Sequence, residues 1–436
     1  MKKNFIRLSV VVGAILLVGY YFYSKKEKVT NPIPSYADSV WVLDYVNIRN
    51  TLLNDYLFGS GESNYEYLNI KNYGLSIPNY VMAFGCTEKA PNTIFTSFDI
   101  TDSTLFSSWT DSLVLNYNFV ASNNSWENKN IIITCNKEKS LVVLCIGIQL
   151  TKENTLEVAN DIFTTKNLMK PENSLFQEIY KSNNHGLVWF KKGETIDEES
   201  WLTLNIKDNE MSLEGDLFLN KEYQFPETSK WQLESDNSQA SYYMNFGESN
   251  FWSKLASKID KENFEKTTGF NSDSLLNYRP NSWSMFLHSP SITQDSSISY
   301  EYDENFNQVE VTKVTNQVSP NFSLFTNFET PGFFSYLVKD SIIKYVDETP
   351  VFTSFPFAKV IAKKQGNLLE LNTKIYENPV SGTFDEFLVL ESDFTKVDST
   401  YLNYLSPKMD IVKRKKIVLV GTQKGDSTHI ELKVNL

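Results

Sequence analysis

Histidine and cysteine are almost missing from this chain of 436 residues, which has three of each. Cys86, Cys135 and Cys145 are an odd and sparse set, so disulfides are not a main source of stability, and at most one bridge can form within the chain. Cys135 and Cys145 are the nearest pair in sequence. His185, His288 and His429 share no ligand spacing, so no histidine-based metal site is expected. Glycine motifs are absent as well: there is no G-x-S-x-G, no P-loop and no G-x-G-x-x-G leading into a helix. Nucleotide chemistry and elbow-type hydrolysis lose their usual supports. Basic charge is short, at 41 Lys and Arg against 53 Asp and Glu, and the net charge of −12 excludes a nucleic-acid partner, which demands a basic stripe. The cluster Lys413-Arg-Lys-Lys416 precedes an apolar strand and reads as its solvated entrance. Arginine is nearly absent while Asn, Lys, Tyr, Phe and Ile abound, the codon bias of an AT-rich bacterial genome.

Long hydrophobic runs are also missing, with one exception. Leu8 to Tyr23 carries no charge and is nearly all apolar. Its aliphatic residues and Phe22 give an insertion free energy of about −4 kcal/mol. Sixteen residues cover only about 24 Å of a roughly 30 Å hydrocarbon core, but Phe5 and Ile6 extend the run and Arg7 can snorkel. A cleaved signal peptide is the rival reading. It needs small residues after the apolar region, where Tyr20-Tyr-Phe-Tyr23 and then lysines stand. The expectation is a short basic tail over 1–7, an uncleaved transmembrane anchor over 8–23 and a linker over 24–35 that ends in Pro32 and Pro34. Lysines on both sides leave orientation nearly tied by the positive-inside rule. The long acidic body favours export, which places a single-pass protein in a bacterial inner membrane with its body extracytoplasmic.

About 400 residues remain, more than the roughly 250 to 300 at which one core stops growing, so two domains are expected. Four hairpins can be read from apolar alternation across polar turns. They are Ile131–Thr134 with Leu141–Leu150, Trp201–Ile206 with Met211–Leu219, Phe357–Ala362 with Leu368–Tyr376, and Ile417–Gly421 with Thr428–Val434. The alternation implies antiparallel sheets with one wet face. Helices are fewer. Asn154 with Glu157 makes a capping-box start for a helix reaching Asn167, and Pro171 opens another that ends before Gly186, with His185 at its exit. Asn47 and Ser249 can each cap a helix that follows a short aromatic strand. A constant offset of 202 links those two units: Trp41 falls on Tyr243, Asn47 on Ser249, Pro78 on Pro280, Phe84 on Phe286, and Ser97–Asp102 on Ser299–Glu304. The predicted fold is therefore α+β, mainly antiparallel sheets with a few helices, in two related tandem modules over 36–228 and 236–436 behind one N-terminal transmembrane helix. Two unrelated domains, one irregular all-β body and a propeller are the competing readings.

The helix after Ser249, then Thr268-Gly-Phe-Asn-Ser-Asp-Ser-Leu-Leu276 and the strand Trp283-Ser-Met-Phe-Leu287, resemble a segment of a broad bacterial family of membrane-anchored exported proteins of unknown function. The resemblance implies an envelope location and carries over no site residue.

Chemistry is hard to find in the remainder. Asp303-Glu-Asn-Phe-Asn307 has the D-x-N-x-N spacing of a calcium loop but lacks its sixth-position glycine and twelfth-position glutamate, and reads as a polar hairpin turn. Asp197-Glu-Glu199 and Asp260 with Glu262 read as solvated turns and helix starts, although carboxylates of this kind leave open a glycan-cleaving enzyme. Trp109, Trp126, Trp189, Trp201, Trp231, Trp252 and Trp283 are spread evenly and read as core. No residue is singled out as catalytic, cofactor-binding or metal-ligating, and no cofactor is expected. The functional reading is a non-enzymatic binding or scaffolding protein of the cell envelope, with the membrane as one partner through residues 8–23 and a protein or envelope component as the other. The alternative is a carboxylate-dependent envelope enzyme acting on glycan.

Overall fold

A computed structural model describes residues 32–48, 51, 70–147, 150–170, 173–182, 184–207, 209–233, 238–247, 261–262, 265, 271–302, 306–353, 359–373, 380–397 and 415–435. These residues are mostly antiparallel sheet with few helices, an α+β body. Among them no helix is long and apolar enough to cross a membrane, and residues 8–23 lie outside the described set. The chain divides into two compact units: Met1–Lys191 with Thr203–Ile206, and Lys192–Leu202 with Lys207–Leu436.

In the first unit the strands are β1 (Ser39–Asp44), β2 (Tyr80–Cys86), β3 (Ala90–Asp99), β4 (Val120–Ser122), β5 (Ser125–Glu127), β6 (Ile131–Asn136), β7 (Leu141–Gly147) and β8 (Gly186–Phe190). Their helices are α1 (Ser103–Tyr117), α2 (Lys152–Thr164) and α3 (Ser174–Lys181). The antiparallel pairing order is β8–β1–β2–β3–β7–β6–β5–β4. Both faces of this sheet are used. Phe98, Ile133, Cys135 and Val142 pack with Phe106 of α1 on one side. On the other side Phe84, Phe95 and Cys145 are fully buried, and α2, which buries Val158, Ala159, Ile162 and Phe163, packs on β3, β6 and β7.

Further along are β9 (Ser200–Lys207) and β10 (Glu210–Leu217), which pair, and β11 (Ser229–Leu233), which pairs with β19 (Val380–Phe384). The remaining elements are β12 (Ala240–Asn245), α4 (Ser272–Tyr278), β13 (Pro280–Tyr302), β14 (Gln308–Phe328), α5 (Phe333–Lys339), β15 (Ile343–Val346), β16 (Thr349–Phe352), β17 (Val360–Gln365), β18 (Leu368–Asn372), β20 (Glu386–Asp393), β21 (Lys416–Lys424) and β22 (Ser427–Asn435). The second unit's order is β10–β22–β21–β20–β12–β13–β14–β18–β17–β16–β15, antiparallel throughout. Phe333 and Leu337 of α5 pack on Leu369, Leu371, Val360 and Ala362.

All four hairpins read from alternation are present, as β6–β7, β9–β10, β17–β18 and β21–β22. Helix boundaries differ from the expectations. The chain turns helical at Lys152 rather than after Asn154: the Thr155 N–H donates to the Thr151 carbonyl at 3.0 Å, so Asn154 and Glu157 lie within the helix, and Glu157 pairs with Lys89 Nζ at 2.7 Å instead of closing a capping box. That helix stops at Thr164, where Thr165 takes a left-handed φ of 55° and donates to Asp161 and Ile162 carbonyls, short of Asn167. α3 is capped by Asn173, whose side chain accepts the Leu175 N–H, and ends at Ser182; Pro171 lies outside the described residues. Gly186 is not a helix stop but the first residue of β8, where a Cβ would stand 2.7 Å from the Val42 carbonyl. Asn47 is not a cap: the Asp44 carboxylate accepts its N–H at 2.8 Å, so the helical turn begins directly after β1. Ser249 lies outside the described residues. The three cysteines are free and buried.

The offset of 202 places Trp41 in β1 and Tyr243 in β12, and Phe84 in β2 and Phe286 in β13. It then breaks, with Ser97 in β3 but Ser299 still in β13, because the second hairpin is much longer than the first.

Candidate interaction surface

β13 and β14 begin as ordinary sheet strands. Over 282–288 and 321–327 they pair with each other, and β12 and β18 cover their outer edges. Ser284, Phe286, His288, Ser323 and Phe325 are buried there. Then the register shifts: Ser289 and Pro290 stand against Pro320 alone, a bulge that accommodates two residues lacking an N–H. Beyond it the two strands continue as a ribbon, Ser291–Tyr302 against Gln308–Ser319. Twelve residues at roughly 3.3 Å each make an arm of about 40 Å. β-branched and aromatic residues alternate with Ser and Thr along it, which suits a strand, and Phe306 in the connecting turn is 86% exposed with a φ of 63°. Asp303, Glu304 and Asn305 lie outside the described residues.

The ladder sorts the arm into two faces. Ile292 faces Val318, Ser296 faces Val314, Ile298 faces Thr312, Tyr300 faces Glu310, and Tyr302 faces Gln308. Ile292, Ile298, Tyr300, Tyr302, Val314 and Val318 therefore share one face, and each is between 45% and 71% exposed. The alternate positions include Ser291, Ser299, Glu301 and Ser319, with Val309 and Val311 their apolar members. Six large apolar side chains on one wet face expose on the order of 700 Å², above the few hundred Å² usual for a contiguous patch on a monomer. Among the described residues no further strand pairs with the outer edges of the arm.

Other candidate groups are scattered. A cavity of about 280 Å³ opens beside α1, lined by Phe106, Thr110, Trp126, Cys135 and Lys137 among others. Burial pushes the Cys135 thiol above its ordinary range, so it is no ready nucleophile. Burial likewise raises Cys86, to about 12. His185 does not hold a helix end: its Nδ1 accepts the Ile206 N–H at 3.1 Å and its Nε2 lies 2.7 Å from Thr51 Oγ1. Burial lowers its pKa, which suits a neutral ring that accepts. His288 lies within β13, with Nε2 3.5 Å from Ser323 Oγ. His429 in β22 stands 3.0 Å from Asp216 of β10. Among the described residues no three His, Cys, Asp or Glu side chains converge.

Asp197–Glu199 form an exposed bend, with Asp197 3.3 Å from Lys192, and Asp260 lies outside the described residues. Lys416 opens β21 and pairs with Glu391 at 2.8 Å. Trp189 is buried, and Trp109, Trp126, Trp201 and Trp283 are half-buried. Tyr300, Tyr302 and Phe306 are exposed and lie together on the arm, whereas the other strongly exposed aromatics, Tyr117 and Tyr345, belong to separate elements. Tyr300 and Tyr302 lie in the segment 299–304 matched at the offset of 202, and Phe306 in the turn 303–307, but nothing in the sequence alone marks them as exposed.

No protein-family model matches the chain. No curated protein matches it. Among solved structures, two crystal forms of TP0453 are similar, each with 11% identity, covering 45% of this chain and 82% and 81% of their own, at TM-scores of 0.30 and 0.29. A likeness at that level carries nothing about function.

Proposed function

We propose that this is a non-enzymatic interaction protein of the bacterial envelope, held by residues 8–23 and docking a partner protein through the β13–β14 arm. The observation that carries the reading is the arm itself: six apolar side chains gathered on one exposed face, on a ribbon with no buried residue among those described in 291–302 and 308–319. Insertion into lipid is a poorer use of it. The edge N–H and C=O groups of a two-stranded ribbon would enter hydrocarbon unpaired, at several kcal/mol each. A protein surface can supply both apolar contact and edge partners.

The proposal extends to the architecture. We read the body as two related modules behind the anchor. Supporting this, β1–β2–β3–β7–β6–β5–β4 and β12–β13–β14–β18–β17–β16–β15 follow the same order, with a helix after the third strand in each and β8 or β20 on the outer edge of the first. Six strand pairings in the same order, found without reference to sequence identity, are hard to reach by chance.

The test is photocrosslinking in cells. A photoreactive phenylalanine analogue at Phe306 or Ile298 should give a discrete crosslinked species, and the same analogue at exposed Tyr345 should not. Absence of any protein adduct at the arm sites in a chain that reaches the membrane overturns the reading.

A further inference from the structure

We propose that the partner of the arm is a second copy of this chain, the two ribbons packing apolar face against apolar face. The inference rests on the docking role proposed above and names its occupant. Three observations carry it. The first is shape. A two-stranded ribbon twists strongly, and a surface that follows that twist along its whole length is a second ribbon of the same twist, packed at about 10 Å with side chains interdigitating.

The second is charge. The arm has five acidic residues, Asp295, Glu301, Asp303, Glu304 and Glu310, against Lys313 alone, so two copies repel unless their acids are kept apart. Of the charged residues within the two strands, only Glu310 shares the ladder positions of the apolar face. Face-to-face packing leaves the other strand charges outside. A basic partner would meet the opposite face and leave the apolar one wet.

The third is area. About 700 Å² on each copy approaches the roughly 800 Å² per partner of a standard interface, and an isologous pair requires only that one patch complement itself.

The experiment uses the full chain in detergent. Light scattering should give a protein mass of two chains, and Ile298→Glu with Val314→Glu should return it to one, weakening association on the order of 100-fold. Both side chains are exposed, so the variant folds, and circular dichroism checks this. In a second arm, Ser296→Cys on the apolar face should be joined to itself by a bis-maleimide spanning about 10 Å, while Ser299→Cys on the opposite face should not. A single-chain mass for the wild type, a pair that survives the double substitution, or equal crosslinking of both cysteines overturns self-pairing. If the purified chain is single but the photoreactive arm still captures a different protein in cells, self-pairing falls and the docking reading stands. If the arm captures nothing, both fall.

Discussion

The β2–β3 and β13–β14 hairpins occupy the same place in two series of strands and meet opposite fates. The first turns at Thr87 to Lys89 and is tied down there. Lys89 Nζ reaches Glu157 at 2.7 Å and Asp161 at 3.2 Å on α2, and lies 4.3 Å from the centre of the Tyr36 ring, while the Thr87 N–H donates to Asp38 at 2.5 Å. Tyr36 donates to Asp161 at 2.8 Å, and burial with that carboxylate holds its phenol protonated far above the usual range. The second hairpin has no such clamp among the described residues and runs on for twelve more residues per strand. The same ladder thus serves as scaffold where its tip is pinned and as an arm where it is not. The lesson is that hairpin length and tip chemistry can diverge while pairing order stays fixed.

The largest expected effect tests whether the bases of the two hairpins are equivalent. Phe84 and Phe95 stack at 5.4 Å in the first unit, and Phe286 and Phe325 meet edge to face at 6.1 Å in the second. Phe95→Ala and Phe325→Ala should each destabilise their own unit by about 3–5 kcal/mol in urea unfolding followed by hydrogen exchange. A much smaller loss in one of them would break the equivalence.

Next comes the clamp. Lys89→Ala should cost the first unit about 1 kcal/mol, since Lys89 is one-third exposed and its ion pairs are partly screened. Hydrogen bonding to Glu157 raises the Lys89 pKa, so its contribution is fully present at neutral pH and is lost as pH rises through the folded value, above the ordinary 10.4 or so. Unfolding of wild type and variant compared at pH 8 and pH 11 should converge.

His185 gives a smaller difference of the opposite sign. Its pKa is lowered by burial, so the folded state binds its proton less readily than the unfolded chain does, and stability falls as pH drops below about 6.5. His185→Asn, which keeps an acceptor for Ile206, should flatten that slope in melting curves between pH 5 and 7.

The smallest effect sharpens the contrast most. Ile298→Ser or Tyr302→Ser in the arm should change the stability of the isolated chain by less than about 0.5 kcal/mol, because these side chains are already wet. A loss above 1 kcal/mol would mean that the arm packs on its own unit.

Much of the scaffold could be read from the sequence. Strands with polar turns of a few residues, such as Ile131–Thr134 against Leu141 onwards, announce themselves because apolar alternation and turn chemistry agree. The offset of 202 places Trp41 and Tyr243, and Phe84 and Phe286, in strands, but Asn47 is no cap, Ser249 lies outside the described residues, and the register is lost at Ser97, since β13 runs on past the position where β2 has ended. Caps were read poorly. Glu157 looked like a capping-box glutamate but answers a lysine 68 residues away, and Gly186 looked like a helix stop but meets the Val42 backbone. Both errors are tertiary contacts overriding local grammar. The candidate site was missed for a different reason: segment 291–299, rich in Ser and Thr, gives no sustained apolar alternation, and wet apolar residues on a two-stranded ribbon leave a weaker signature than buried ones.

The bulge at Ser289 and Pro290 has a consequence for the arm's face. In the base of β13 the even-numbered Ser284, Phe286 and His288 oppose odd-numbered residues of β14; past the bulge, even-numbered Ile292 and Ile298 oppose even-numbered Val318 and Thr312. Without that one added residue the ladder would keep its first phase, and the isoleucines and tyrosines of β13 would emerge on the side opposite Val314 and Val318. A continuous apolar stripe exists only because two strands are re-phased by a single residue, so an insertion or deletion of one residue between the bulge and the tip that slips the register of one strand would divide the stripe in half while leaving composition, length and stability nearly unchanged.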